Sequence, residues 1–178
     1  MREYSNKDMI AAFMQAFGSA IRAYTSVYFS GGATAVLYNI RSSTIDIDLF
    51  FEPDNTECYQ VLRRLKDTLN INLEIAAPHH FVPVLPGWRE RSEFIEQIGS
   101  VSFYHYDLVS QIISKIQRGY EQDMSDATGF VTLIPKQVKM LELMESVKEE
   151  YLRFPTVEFQ ELKFKVEHFL NEHGSHPT

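Results

Sequence analysis

Cysteine is almost missing from this chain: Cys58 stands alone among 178 residues, so no internal disulfide can form and the sequence suits a reducing compartment. Long apolar runs are missing too. Nothing approaches the ~18 consecutive apolar residues that a membrane-spanning helix needs. The opening stretch, MREYSNKDMIAAFMQAFGSA, begins with mixed charge and turns amphipathic, without the continuous apolar segment of a signal peptide. These absences give the expectation of a cytoplasmic protein with no membrane partner. Basic residues are outnumbered, 17 Lys and Arg against 24 Asp and Glu, for a net charge of −7. That balance argues against broad, non-specific attraction to nucleic acid. It leaves room for a local basic patch, or for a metal that screens the acidic groups. There is no internal repeat, no low-complexity tract, and nothing resembling a Ser-His-Asp set or a cysteine with a placed base.

What is present is a foldable composition, 44% hydrophobic and 13% aromatic. Ser5 is expected to cap a helix reaching about Tyr24, with Met9, Ile10, Phe13, Phe17 and Ile21 at helical spacing. Strands are expected at TSVYF, TIDIDLFF, INLEIA and VSFYHY, with a short helix in ATAVLYN and a longer one over about 56–69. The stretch PHHFVPVLPGWRER, with three prolines and a glycine, reads as a long irregular loop. Helices are expected over about 107–118, 120–128, 136–152 and 157–172. The fold class is therefore α+β: a small mixed β-sheet core with flanking helices over 1–106, a helical C-terminal part over 107–172 packed on it, and a disordered tail over 173–178.

Within TIDIDLFF, alternation sends Ile45, Ile47 and Leu49 one way and Asp46 and Asp48 the other. The two aspartate Cβ atoms then lie roughly 6–7 Å apart, at about 3.3 Å rise per residue. Carboxylates held that close repel unless a cation sits between them. Mg²⁺ suits the position, because it takes hard oxygen ligands and commonly uses one or two carboxylates plus substrate phosphates. In NINLEIA the same alternation puts Asn70, Asn72 and Glu74 on one face, and Glu74 can join the pair if the two strands are neighbours. The bland alternative is a wet, acidic strand face.

Upstream, Gly31-Gly32 follows a strand and opens a short helix. Glycine lets backbone approach a ligand closely, and free N–H groups at a helix start suit phosphate. Ser30 adds a hydroxyl. Thirteen residues separate the glycine pair from Asp46-Ile47-Asp48-Leu49.

That arrangement resembles the nucleotidyltransferases of the DNA polymerase β superfamily, in which a glycine followed by Gly or Ser precedes Asp-hydrophobic-Asp/Glu-hydrophobic by a spacer of this kind. Ser30 departs from the hydrophobic residue usual before the glycines, and Glu74 stands where Asp is commoner as third carboxylate. A second block, SKIQRGYEQDMSD, with Lys115, Arg118, Asp123 and Asp126, resembles the AbiEii-like branch of that superfamily, which includes toxins of toxin–antitoxin and abortive-infection systems. Some of those toxins transfer nucleotides to the acceptor end of tRNA. The resemblance spans roughly residues 25–128.

The resemblance implies a transferase that moves a nucleoside monophosphate from a triphosphate to an acceptor hydroxyl. Asp46 and Asp48 would bind Mg²⁺ (two ions, with Mn²⁺ as the alternative), and Glu74 would act as base or further ligand. Ser30, Gly31, Gly32, Lys115 and Arg118 would bind phosphates, and Asp123 and Asp126 would orient the two cations. The implied acceptor is RNA, above all tRNA, followed by a protein side chain or a small molecule. A cognate antitoxin or toxin protein is an implied partner. The alternative of another class is a non-catalytic nucleotide-binding or antitoxin-like interaction module.

Two further features carry a functional and a bland reading side by side. Trp88, Arg89 and Arg91 either clamp a base or anchor the loop, and His105 reads as core or cleft lining.

Overall fold

The structure is a computed structural model that describes residues 4–135 and 138–174. The chain falls into two compact units, Met1–Ala77 with Ser92–Tyr106, and Pro78–Arg91 with Asp107–Thr178. The architecture is mixed α and β: a five-stranded mixed sheet flanked by helices, and a helical C-terminal part.

The first unit begins with α1, Lys7–Ala20. Asn6, not Ser5, caps it, because the longer Asn6 side chain accepts from Met9 N–H at 3.0 Å. Ser5 is occupied elsewhere. Its backbone pairs with Thr44 in an isolated bridge, at 2.7 and 2.9 Å. The helix ends at Ala20, short of the expected Tyr24, since Ile21 turns to extended backbone. Strand β1, Thr25–Ser30, leads into α2, Gly31–Leu37. Strand β2, Asp46–Glu52, is followed by α3, Thr56–Thr68, and β3, Asn72–Ile75. A 13-residue helix is long enough to carry the chain back, so β2 and β3 pair parallel as a β-α-β crossover.

After the second unit's Pro78–Arg91 segment, the chain returns with β4, Glu93–Ile98, and β5, Val101–His105. Strand order is β3-β2-β1-β5-β4, with β1 antiparallel to β2 and parallel to β5. Strand β4 has no counterpart in the sequence reading. It lies at the sheet edge and pairs only with β5, with a register shift between Phe94 and Glu96. Both of its faces are largely wet, so the usual alternation is absent.

One face of the sheet is the core. Val27, Phe29, Ile47, Leu49, Phe51, Val101 and Phe103 are buried there with Ile10, Phe13 and Phe17 of α1 and Val61, Leu62 and Leu65 of α3. The Phe29 and Phe103 rings stack at 5.9 Å. The burial of β2 alternates strictly from Asp46 to Glu52, which puts Asp46 and Asp48 on the face opposite this core. Ile45 lies just before the strand and is 59% exposed, so it does not share the buried face with Ile47 and Leu49.

The second unit contains a 3₁₀ turn at Pro78–His80 and one helical turn, α4, Trp88–Arg91. The segment expected to be irregular is thus partly ordered. Helices α5, Leu108–Arg118, α6, Glu121–Val131, α7, Met140–Ser146, and α8, Phe159–His173, follow, with a 3₁₀ segment at Lys148–Arg153 between the last two. Helix α7 with its 3₁₀ continuation replaces the single helix expected over 136–152, and residues 136–137 lie outside the described residues. Helix α8 runs through His173, and residues 175–178 of the expected tail also lie outside the described residues. Phe159 and Phe169 are buried, whereas Phe164 is exposed, so the five-residue spacing of these rings does not define one helix face.

Candidate active site

Two adjacent strands, β2 and β3, bring the carboxylates side by side, and β1 adds Ser30. Ser30 of β1 is the register partner of Asp48 of β2, and Asp48 is the partner of Glu74 of β3. Register partners share a face, so Ser30, Asp48 and Glu74 form a row across the sheet. Asp46, two residues before Asp48, pairs with Asn72. The Asn72 amide donates to Asp46 Oδ1 and, at 3.4 Å, to Glu74 Oε1. It thereby ties the carboxylates of neighbouring strands. Asp46 and Asp48 are half-buried and Glu74 is exposed. Among the described residues, no group of three His, Cys, Asp or Glu side chains stands ready as a metal cage. A two-carboxylate edge still fits Mg²⁺, which keeps waters and substrate oxygens for its other positions.

The glycine pair lies directly against these acids. Gly31 has φ +57°, and a Cβ there would run into the Asp48 carboxylate. Any other residue at 31 would both strain the backbone and displace Asp48. A Cβ at Gly32 would run into the Arg41 guanidinium and the Thr44 hydroxyl. Arg41 Nη2 donates to Thr44 Oγ1 at 2.9 Å, and Thr44 Oγ1 donates to the Asp46 carbonyl at 2.9 Å. The loop between α2 and β2 therefore folds back onto the glycines and fixes the start of the acidic strand. Ser30 is at the capping position of α2 but makes no side-chain cap. Its hydroxyl donates to the Ala76 carbonyl at 3.0 Å, binding the end of β1 to the chain beyond β3.

Arg41 and Thr44 belong to none of the motifs visible in the sequence. One signal was available: Arg41 is the only charged residue between Gly32 and Asp46.

The second block forms a network of its own inside the helical unit. Asp107 caps α5 by accepting from Val109 and Ser110 N–H, and it also receives two hydrogen bonds from Arg91, at 3.0 and 2.7 Å. Further along α5, Lys115 Nζ donates to Asp123 Oδ1 at 3.1 Å and to Asp126 Oδ2 at 2.7 Å. Arg118 pairs with Asp123, and Gln122 donates to Asp126 at 3.2 Å. Lys115, Asp123 and Asp126 are all buried. A lone buried ammonium would be costly, and the aspartates supply the opposite charge that makes its burial tolerable. Gln111 and Ser114 are buried as well, so the polar side of α5 is interior and not a wet surface.

The structure therefore sorts the expected site residues into two groups. Ser30, Gly31, Gly32, Asp46, Asp48 and Glu74 meet in the sheet unit, and Lys115, Arg118, Asp123 and Asp126 meet in the helical unit. Asp123 and Asp126 both pair with Lys115, and Asp123 also with Arg118, so the Lys115 charge is matched within the helical unit.

The remaining candidates have structural surroundings. Trp88 is buried, with the Arg89 guanidinium 4.5 Å above its ring. His105 shares the register of Phe29 and belongs to the core face, opposite the carboxylates. Burial lowers its pKa to about 4, so its imidazole is neutral at ordinary pH.

A family model described as a nucleotidyltransferase of unknown function (DUF6036) matches residues 8–173. No curated protein and no solved structure matches the chain.

Proposed function

Because the chain belongs to this family of nucleotidyltransferases of unknown function, we propose that its sheet unit transfers a nucleoside monophosphate from a nucleoside triphosphate to an acceptor hydroxyl. The observation that carries the proposal is the row Ser30–Asp48–Glu74, with Asp46 beside it and the Gly31 backbone against the Asp48 carboxylate. Asp46 and Asp48 would hold Mg²⁺, which would stabilise the charge developing on the transferred phosphoryl group and on the leaving pyrophosphate.

Each protein group then has a task. The acceptor oxygen attacks the α-phosphorus, and the bond to the pyrophosphate oxygen breaks. Glu74, exposed beside Asp48, takes the proton from the attacking hydroxyl. Asn72 keeps the Asp46 and Glu74 carboxylates in place. Gly31 and Gly32, having no side chains, let the Asp48 carboxylate and the Arg41–Thr44 pair pack against the turn that would meet the phosphates.

RNA is the acceptor class we favour, and toxicity in a toxin–antitoxin pair the role. Both rest on the likeness of the α5–α6 block to the AbiEii-like branch. A non-catalytic binding module is the competing reading, and the intact set of three carboxylates weighs against it.

The test is label transfer. Protein, Mg²⁺ and α-³²P-labelled nucleoside triphosphates are incubated separately with total RNA, total protein and a small-molecule pool. We expect label in RNA, and a loss of about a hundredfold or more with Asp48→Asn, because removing a charged group that acts on the transition state costs several kcal/mol. Labelling that survives Asp48→Asn would overturn the assignment of these carboxylates.

A further inference from the structure

The sheet unit is acidic, with six Lys and Arg against ten Asp and Glu among its described residues. Three of those six cations, Arg63, Arg64 and Lys66, fall within one turn of α3. Building on the nucleotidyl-transfer reading, we infer that this turn of α3 is a docking surface for the phosphate backbone of a single-stranded RNA acceptor, whose end reaches Glu74 round the β3 edge of the sheet.

Folding does not account for the cluster. Helix α3 buries Cys58, Val61, Leu62 and Leu65, and Arg63 and Arg64 stand exposed away from them. Neither guanidinium is held by a hydrogen bond or an ion pair among the described residues. Lys66 is three residues from Arg63, and like charges at that spacing oppose a helix. The helix dipole favours a cation in the last turn, which accounts for Lys66 alone. Set against Asp67, the three cations still leave this turn with a local excess of positive charge.

The position of the cluster links it to the candidate site. Lys66 Nζ donates to the Leu73 carbonyl of β3 at 3.4 Å, and β3 is an edge strand of the sheet. The next residue, Glu74, is exposed and shares the opposite face with its register partner Asp48. A strand held on α3 therefore meets the sheet edge one residue from the carboxylate assigned to the acceptor's proton. Charge complementarity selects the occupant, because the planar guanidinium fork matches phosphate oxygens. The carboxylate face repels the same backbone, so the RNA is held on the α3 side and presents only its end to Asp48 and Glu74.

A solvated charge cluster and a docking surface differ in their response to salt. The probe is a fluorescein-labelled single-stranded RNA of about twelve nucleotides, a length that a single-strand groove covers. Its binding to the full chain with Mg²⁺ is followed by anisotropy over a range of salt concentrations. Wild type is compared with Arg63→Gln/Arg64→Gln, with Arg63→Lys/Arg64→Lys, and with Lys7→Gln/Arg22→Gln, which removes the same charge elsewhere in the unit.

The α3 Gln pair should lose about tenfold or more in RNA affinity, as expected for charge-assisted contacts. Its slope of log affinity against log salt should shrink by about 1.4, or 0.7 for each lost phosphate contact. The Lys pair should keep most of the slope, the Lys7/Arg22 pair should match wild type, and Mg²⁺–triphosphate affinity should be the same in all four proteins. If the α3 Gln pair fails to fold, Arg63→Gln alone carries the test, with a slope change of about 0.7. An α3 Gln pair that binds RNA like the Lys7/Arg22 pair overturns the docking surface. Triphosphate binding without RNA binding in wild type, with label passing to protein, overturns RNA as the occupant and leaves the transferase reading standing. Absence of triphosphate binding in wild type overturns both.

Discussion

His105 ends β5 with its imidazole stacked on the Tyr38 ring, centroids 4.1 Å apart, and its buried Nδ1 has no hydrogen-bond partner among the described residues. The Tyr38 hydroxyl donates to Glu93 Oε2 at 2.5 Å. Burial, and then that bond to Glu93, push the Tyr38 pKa up, so the phenol stays protonated. No partner in this arrangement favours an imidazolium, and burial lowers the His105 pKa from 6.5 to about 4. Below pH 6.5 the unfolded chain takes up a proton that the folded chain refuses, so stability is full above that pH and falls as pH drops toward 4. The shift corresponds to about 3 kcal/mol across the window. Urea unfolding of wild type at pH 7.0, 6.0 and 5.0 should show this decline, and His105→Phe should flatten it. An equal decline in the variant would mean that other groups cause it.

At the scale of elements, the strands and helices show what could be read in advance. The alternation of β2 was legible because one face meets a continuous core and the other does not. The same holds for Leu73 and Glu74 in β3, although their alignment with Leu49 and Asp48 comes from the parallel crossover through α3, which alternation alone cannot specify. Strand β4 was illegible because an edge strand with two wet faces carries no period-two signal. The placement of Arg41 against Gly32 is illegible for another reason. It depends on a loop folding back onto Gly32, a long-range contact without a local pattern.

Helix α5 is the instructive case. Helical spacing in the sequence gives an apolar stripe of Leu108, Val109, Ile112, Ile113 and Ile116, of which Leu108 is only half-buried, and sets Gln111, Ser114, Lys115 and Arg118 opposite as a wet or ligand-facing surface. The side is buried because α6 brings two aspartates to Lys115. That geometry makes Lys115 first a residue of stability. Lys115→Ala leaves Asp126 buried without its ammonium, which should cost about 3–5 kcal/mol in urea unfolding, while Lys115→Met with Asp126→Leu should recover most of the loss. If Lys115→Ala unfolds like wild type and loses only triphosphate affinity, the network serves the ligand instead.

For the whole molecule, the two units provide separate reporters. Trp88, the single tryptophan, is buried in the helical unit, and Cys58, the single cysteine, is fully buried in α3 of the sheet unit. Thermal unfolding followed by tryptophan emission therefore reports on one unit, and thiol labelling at Cys58 reports on the other. A ligand that binds only the folded form stabilises it by about 2.7 kcal/mol at a hundred times its dissociation constant. For a unit of this size, each kcal/mol raises the midpoint by about 4–8 °C, so the expected shift is on the order of 10 °C. All of Ser30, Gly31, Gly32, Arg41, Asp46, Asp48 and Glu74 belong to the sheet unit, so Mg²⁺ with a nucleoside triphosphate should raise the Cys58 midpoint more than the Trp88 midpoint. Asp48→Asn should remove most of that difference. A shift confined to Trp88 would assign the triphosphate to the helical unit, where Lys115 and Arg118 lie, and would displace the carboxylate row from the centre of the mechanism.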